Sequence, residues 1–195
     1  KIEPPEGDLT RSLGPQRHPG MSAVFLNCNR NKRSVVLDLK KERDQETLHA
    51  LVAGADAFVH SIRSNAAERL RIDYPTLSAR NPGLVYCHCK GFDDAGLYGG
   101  MPAYDDVIQS LSGLASLQSA VVGSPRYMPT IAGDKVTALH AAYGVAMGLF
   151  HRMRTGRGQE VATHMFEAMT AFTAVEHLWG ATFEPPLGPM GYETI

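Results

Sequence analysis

"SVVLDLKKERDQETLHALVAGADAFVHSI", residues 34–62, decides the fold class. Ser34 to Leu39 is short, β-branched and apolar, as a strand should be. Behind it Leu48, Leu51 and Val52 recur at helical spacing, and Gly54 supplies a stop. Ala55 to Ile62 is a second short apolar run. The order strand, helix, strand reads as a βαβ unit, with parallel strands joined by a crossover helix.

Further along, "NAAERLRIDYPTLSARNPG" (65–83) is helical, interrupted before Pro75 and resumed up to Asn81. "LVYCHCKGF" (84–92) predicts a third strand and "GQEVATHM" (158–165) another. "AYDDVIQSLSGLASL" (103–117) carries Val107, Ile108, Leu111 and Leu114 on one helical stripe, and "FEAMTAFTAVEHLWG" (166–180) predicts a last helix. Strands alternating with helices give an α/β class with a parallel sheet covered by helices.

The chain has 195 residues, 44% of them hydrophobic and 20% charged, which suits one well-buried core. Nineteen basic against twenty acidic residues leave a net charge of -1, so no overall field favours a nucleic acid or an anionic membrane. The longest apolar run, Ala141 to Phe150, is shorter than the roughly 20 residues that span a bilayer. The polar, proline-rich start lacks the apolar stretch of a signal peptide. Three cysteines at irregular spacing fit a reducing compartment. A cytoplasmic protein is expected, or a mitochondrial or peroxisomal one if the source is eukaryotic. The ends, "KIEPP" and "PPLGPMGYETI", read as those of a piece of something larger.

"TIAGDKVTALHAAYGVAMGLFHRMRTGRGQ" (130–159) holds the sharpest question about chemistry. Asp134, preceded by Gly133, opens a long apolar helix that reads as buried nearly all round. Beside an N-cap, a carboxylate satisfies free N–H groups and meets the positive end of the helix dipole. That is a structural role. The same setting favours the ionised form that a nucleophilic carboxylate needs, and spacing leaves both readings open.

Other candidates have plain alternatives. "RTGRGQ" (154–159) is a phosphate cradle or, lacking the P-loop spacing, a helix stop and solvated turn. Cys87 and Cys89 share one strand face with His88 on the other, a poor arrangement for zinc, and no metal is expected. "NRNKRS" (29–34) with Lys40 and Lys41 is a solvated basic face or a seat for a phosphorylated ligand. Tyr104 and Asp105 open a helix after a glycine-rich loop.

Eight segments stand in a telling order: "KIEPPEGDLTR" (1–11), "NRNKRSVVLDLK" (29–40), "ADAFVHSIRSNAAERL" (55–70), "NPGLVYCHCKGF" (81–92), "PAYDDVIQSLSGL" (102–114), "AGD" (132–134), "RTGRGQ" (154–159) and "EHLWGATFEPPLGP" (176–189). Together they resemble the class III CoA-transferase family, which includes formyl-CoA and carnitine-type CoA transferases and the related acyl-CoA racemases. The resemblance runs over essentially the whole chain.

The resemblance implies a Rossmann-like large domain, incomplete at both ends, spanning residues 1–180. Residues 181–195 would begin a linker toward a small domain. It implies a homodimer of interlocked chains, and a chain of roughly double this length whose further segments complete the active site, so that the 195-residue piece alone would be inactive. By the same resemblance Asp134 is the catalytic nucleophile. Tyr104 falls where transferases carry Tyr and racemases carry His, and Asp105 matches an acidic neighbour found in some transferases. A phenol with a pKa near 10 is a poor base at neutral pH, so Tyr104 favours transfer over racemisation.

Contacts to coenzyme A map onto Leu37, Lys40, Ser61, Ile62 and Arg69, with Lys32 and Arg33 as further phosphate partners. Pro4 and Pro102 stand where some family members carry basic residues. The implied substrates are an acyl-CoA and a carboxylic acid, with no tightly bound cofactor and no nucleic acid or membrane partner. The implied reaction passes CoA to the acid through an aspartyl-CoA intermediate. The alternatives are an α-methylacyl-CoA racemase or epimerase and a non-catalytic CoA-binding fragment.

Overall fold

A computed structural model of the chain describes residues 1–191. The chain divides into two compact units, Lys1–Gly54 and the part from Ala55 onward. Of the expected linker, 181–195, residues 192–195 lie outside the described residues.

In the first unit β1 (Ile2–Glu3) pairs in parallel with β2 (Val35–Val36), and α1 (Ala23–Asn29) and α2 (Glu42–Ala53) are its helices. Ser22 caps α1 by accepting from the Phe25 N–H at 3.1 Å. The sequence predicts a strand from Ser34 to Leu39, but only two residues pair. Beyond them the chain turns at once: Asp44 Oδ2 accepts from the Asp38 N–H at 2.8 Å, and the Lys41 N–H donates to Asp38 O. The unit is tied by buried Glu3, which accepts from Arg11 Nε at 2.7 Å, Arg11 Nη2 at 2.9 Å and Ser34 Oγ at 2.7 Å. The Arg11 guanidinium, with Ser34 and the Asp8 N–H, outweighs burial and holds the Glu3 carboxyl down at about 2.

The second unit is a three-stranded parallel sheet in the order β3 (Ala57–His60), β4 (Val85–Lys90), β5 (Gln159–His164). Between β3 and β4 run α3 (Ser64–Arg69) and α4 (Tyr74–Arg80). Pro75 does not break α4 but sits in its first turn, where its missing N–H has no partner to lose, and Asp73 caps the helix through the Thr76 N–H. Between β4 and β5 come α5 (Asp105–Leu111), the short α6 (Leu114–Leu117) and α7 (Ser119–Val122), and α8 (Ala132–Thr155). Among the described residues the last α-helix is α9 (Met165–Leu178). The predicted stripe from Val107 to Leu114 is interrupted at Gly113, which takes φ +79 and separates α5 from α6.

Helix α8 differs most from expectation. Its buried residues are small, Ala132, Gly133, Thr137, Ala141 and Gly148, whereas Leu139, Tyr143, Met147, Phe150 and Met153 are exposed. The helix is not buried all round because it approaches the sheet on a stripe of small side chains. A Cβ on Gly144 would stand 2.5 Å from Val161 Cγ1, and one on Gly148 2.7 Å from Val85 Cγ1. Those valines lie on one sheet face; on the other, the ring of Tyr86 meets Tyr74 of α4 at 5.5 Å. The helix ends at Gly156, φ +74, whose N–H donates to Arg152 O at 2.7 Å. "RTGRGQ" is thus a left-handed cap and turn. Among the described residues no helix is long and apolar enough to cross a membrane.

Gly144→Ala and Gly148→Ala should each destabilise the fold by about 1–2 kcal/mol, although alanine is the better helix former by roughly 1 kcal/mol. Urea midpoints test this; an unchanged or raised midpoint in both variants would show that the sheet yields to the added methyl.

Candidate functional site

Parallel strands end together, and the crevice beyond their C-terminal ends is where α/β sheets bind ligands. Here β3 and β4 run into a cavity of about 540 Å³. One wall is the exit of β3 and the start of α3, with Ser61, Arg63, Ser64 and Asn65. A second is the end of β4 and the loop after it, from His88 to Phe92 and Asp94. Gly99 to Tyr104 close the third. Two walls are pinned by charge: Asp94 Oδ2 accepts from Lys90 Nζ at 2.6 Å and from Ser64 Oγ at 2.7 Å. Lys90 and then Ser64 hold the Asp94 carboxyl below its ordinary range. The third wall comes close because Gly91 has no side chain, a Cβ there falling 2.3 Å from Ala103 Cβ.

The loop past Ala103 leads into α5 at Tyr104, its N-cap residue. Tyr104 is 73% exposed and lines the cavity. The next residue, Asp105, turns toward α8. Its Oδ1 accepts from the Asp134 N–H at 3.1 Å, so the first turn of α8 is capped by a carboxylate from another helix, α8 having no side-chain cap of its own. Asp105 is held in turn by Gln109, whose Nε2 donates to Asp105 Oδ2 at 2.6 Å and Thr130 O at 3.0 Å while its Oε1 accepts from the Met128 N–H at 2.8 Å. Gln109 is only 2% exposed, so this amide is a fully used buried polar group joining α5 to the segment that enters α8. Gly133 fits beneath, since a Cβ there would meet Asp105 Oδ1 and Ile108 Cγ2 at 3.2 Å each.

Asp134 stands third in α8, not at the cap, and is exposed. The sequence reading expects the helix terminus to favour its ionised form. The structure shifts the balance the other way: lost hydration among its neighbours, then repulsion from Asp105, push the Asp134 carboxyl above its ordinary range. Of these two causes desolvation is the larger, and the capping carboxylate adds to it. A raised pKa makes the ionised carboxylate more basic and so a stronger nucleophile.

The structure therefore brings Tyr104, Asp105 and Asp134 together at the entries of α5 and α8, and puts Ser61 and Tyr104 on one cavity. Half-buried Ile62 follows Ser61, and exposed Arg69 ends α3. The remaining sequence candidates lie in the first unit. Lys40 and Arg33 are exposed, Lys32 Nζ donates to Cys28 O at 2.8 Å, and Leu37 belongs to that unit's core. Cys89, which sequence reading weighs only as a metal ligand, lines the cavity. Its pairing with the neighbouring Cys87 thiol, against burial, holds the Cys89 thiol below its ordinary range. Among the described residues no three His, Cys, Asp or Glu side chains are grouped to hold a metal. Gln109 and Lys90 were also missed; a lone Gln inside an amphipathic stripe was the one available signal.

The model of CoA-transferase family III matches residues 1–194. The chain belongs to that family. It is 35% identical over 179 residues to a succinyl-CoA:mesaconate CoA-transferase of Haloarcula hispanica, covering 88% of this chain and 45% of that one. It is 34% identical over 192 residues to an acetyl-CoA:oxalate CoA-transferase of Acetobacter aceti, covering 95% and 48%. The crystal structure of a CAIB/BAIF family protein from Brucella suis superposes with a TM-score of 0.88 at 31% identity, over 97% of this chain and 51% of that one. The chain thus spans about half the length of the curated relatives it matches, and the Rossmann-like α/β fold is that of the family.

Asp105→Asn keeps the oxygen that accepts from the Asp134 N–H but removes the repelling charge. The Asp134 carboxyl should then titrate lower, toward the ordinary carboxylate range, in a carbon-13 NMR titration. An unmoved titration would refute the repulsion from Asp105. Gln109→Ala, which releases Asp105, should cost roughly 1–3 kcal/mol in thermal unfolding.

Proposed function

We propose that the protein transfers coenzyme A from an acyl-CoA to a carboxylic acid, with Asp134 as nucleophile. The observation that carries this is Asp134 in the first turn of a long helix, its side chain exposed and its backbone N–H held by Asp105, the residue that follows Tyr104 of the cavity wall. Asp134 attacks the thioester carbonyl, forming a mixed anhydride and releasing the CoA thiolate. The thiolate attacks the aspartyl carbonyl of that anhydride, expelling the first carboxylic acid and leaving an aspartyl-CoA thioester. The acceptor carboxylate repeats the sequence in reverse and leaves as acyl-CoA, restoring Asp134. One thioester replaces another, so the net change is small.

Tyr104, a phenol at the cavity, orients the acyl group. Ser61, Ile62 and Arg69 are read as contacts to CoA, Arg69 serving its phosphates. The names of two relatives give mesaconate and oxalate, so small dicarboxylic acids are the acceptors to try first. CoA enters as substrate, and no resident cofactor is needed. Residues 1–180 are read as part of a large domain, 181–195 as the way toward a small one, and the working protein as an interlocked homodimer.

In the protein as its organism makes it, Asp134→Ala should lower turnover at least about a thousandfold. Mass spectrometry of wild type with acyl-CoA should find an adduct on Asp134. Full activity in the variant would end this reading. Exchange of the α-proton with deuterated solvent, without an adduct, would establish a racemase instead.

A further inference from the structure

Strands β3 and β4 set His60 opposite His88 in register. Their rings stack with centroids 4.2 Å apart and 27° between planes. Both reach one residue just past the end of β3. The Ile62 N–H donates to His60 Nδ1 at 3.1 Å, and His88 Nε2 lies 2.7 Å from Ile62 O. A carbonyl only accepts, so His88 carries its proton on Nε2. Because His60 Nδ1 accepts, the neutral ring holds its proton on Nε2 and donates it to the Tyr86 hydroxyl at 2.6 Å. At Ile62, therefore, both backbone polar groups are satisfied by imidazoles, where the strand ladder has stopped and α3 has not begun.

We propose that His60 and His88 are positioning residues for the acyl-CoA substrate: by holding the N–H and C=O of Ile62 they fix the Ser61 to Asn65 wall of the cavity. The inference rests on the CoA-transfer reading, in which Ser61 and Ile62 contact CoA. Neither histidine touches the reacting atoms.

The clamp needs a neutral His60 and no charge repulsion between the stacked rings. A protonated His60 would aim a donor at the Ile62 N–H, and two stacked imidazolium rings would repel each other. Burial, then the charges of His88 and Lys90, hold His60 down at about 4. Burial also lowers His88; Lys90 and His164 add to this, while Ile62 O and Asp94 oppose it. Tyr86 also faces the pair, with Phe58 stacked on it, and burial followed by Glu160 and Asp73 keeps its hydroxyl protonated.

Four variants test the clamp. His60→Leu and His88→Leu remove it, whereas His60→Asn keeps an acceptor near Nδ1 and His88→Gln a donor near Nε2. In the full protein each leucine variant should raise the acyl-CoA KM and the Kd for free CoA by roughly fivefold to tenfold, with kcat held within about twofold. Asparagine and glutamine should recover most of the loss. Wild-type affinity for CoA should hold from about pH 6 to about 5 and fall as pH passes through about 4, where protonation destroys the His60 acceptor, and His60→Asn should flatten that fall. Folded leucine variants with wild-type affinity overturn the clamp. If they do not fold, a CoA affinity that stays flat from about pH 5 to about 3 in wild type overturns it instead. Wild type that turns over normally while the variants bind unchanged sinks the clamp alone; wild type that does not bind CoA sinks the function with it.

Discussion

The second unit depends on two places where a helix has no side chain. Gly144 and Gly148 let α8 rest directly on Val161 and Val85, and this seating fixes the axis of a 24-residue helix against the parallel sheet. Its N-terminus then falls beside α5, near enough for Asp105 to reach the Asp134 N–H. Large residues on the same stripe would lift the helix from the sheet and separate the two helix entries. Close packing of this kind tolerates little change in volume, so a pair of glycines transmits the sheet's position to a carboxylate more than two turns away.

Around this frame the polar groups are held by a few buried side chains. Gln109 collects Asp105, Thr130 and Met128; Thr137 Oγ1 donates to Gly133 O at 2.7 Å within the first turn of α8; Thr173 Oγ1 donates to Ser112 O at 2.8 Å beside the break between α5 and α6. His60 and His88 do the same at the exit of β3. A buried polar atom left unpaired costs more than a paired one gains, so each contact narrows the conformations open to its loop. Of these places the exit of β3 walls the cavity, so that part of its shape follows from hydrogen bonds made behind it.

The capping of α8 also bears on chemistry. A serine or asparagine would satisfy the free N–H groups without charge, whereas a carboxylate satisfies them and repels its neighbour. Asp105 thus connects structure with reactivity: it orders the first turn and, after lost hydration, is the second cause that raises the carboxyl of Asp134. The sequence reading saw an aspartate at a helix start and inferred an easily ionised group. It missed the opposing effects because neither lost hydration nor a partner 29 residues away leaves a local trace.

Much was legible in the residues themselves. Alternating apolar runs and helical stripes mark β3, β4, β5, α2 and α9, and the ordered segments point to the family, because periodicity and turn residues are local properties of the chain. Gly156 announces the end of α8 for the same reason. Burial was not legible: "ALHAAYGVAMGLF" is apolar on every side, and only packing against Val85 and Val161 decides that its small residues face inward and Tyr143 and Phe150 outward. Nor was the meeting of His60 with His88, or of Asp105 with Asp134. Sequence determined which elements form, since propensity acts over a few residues. Which side chains face each other was decided by tertiary structure alone, because strand register and helix seating bring together groups far apart in the chain.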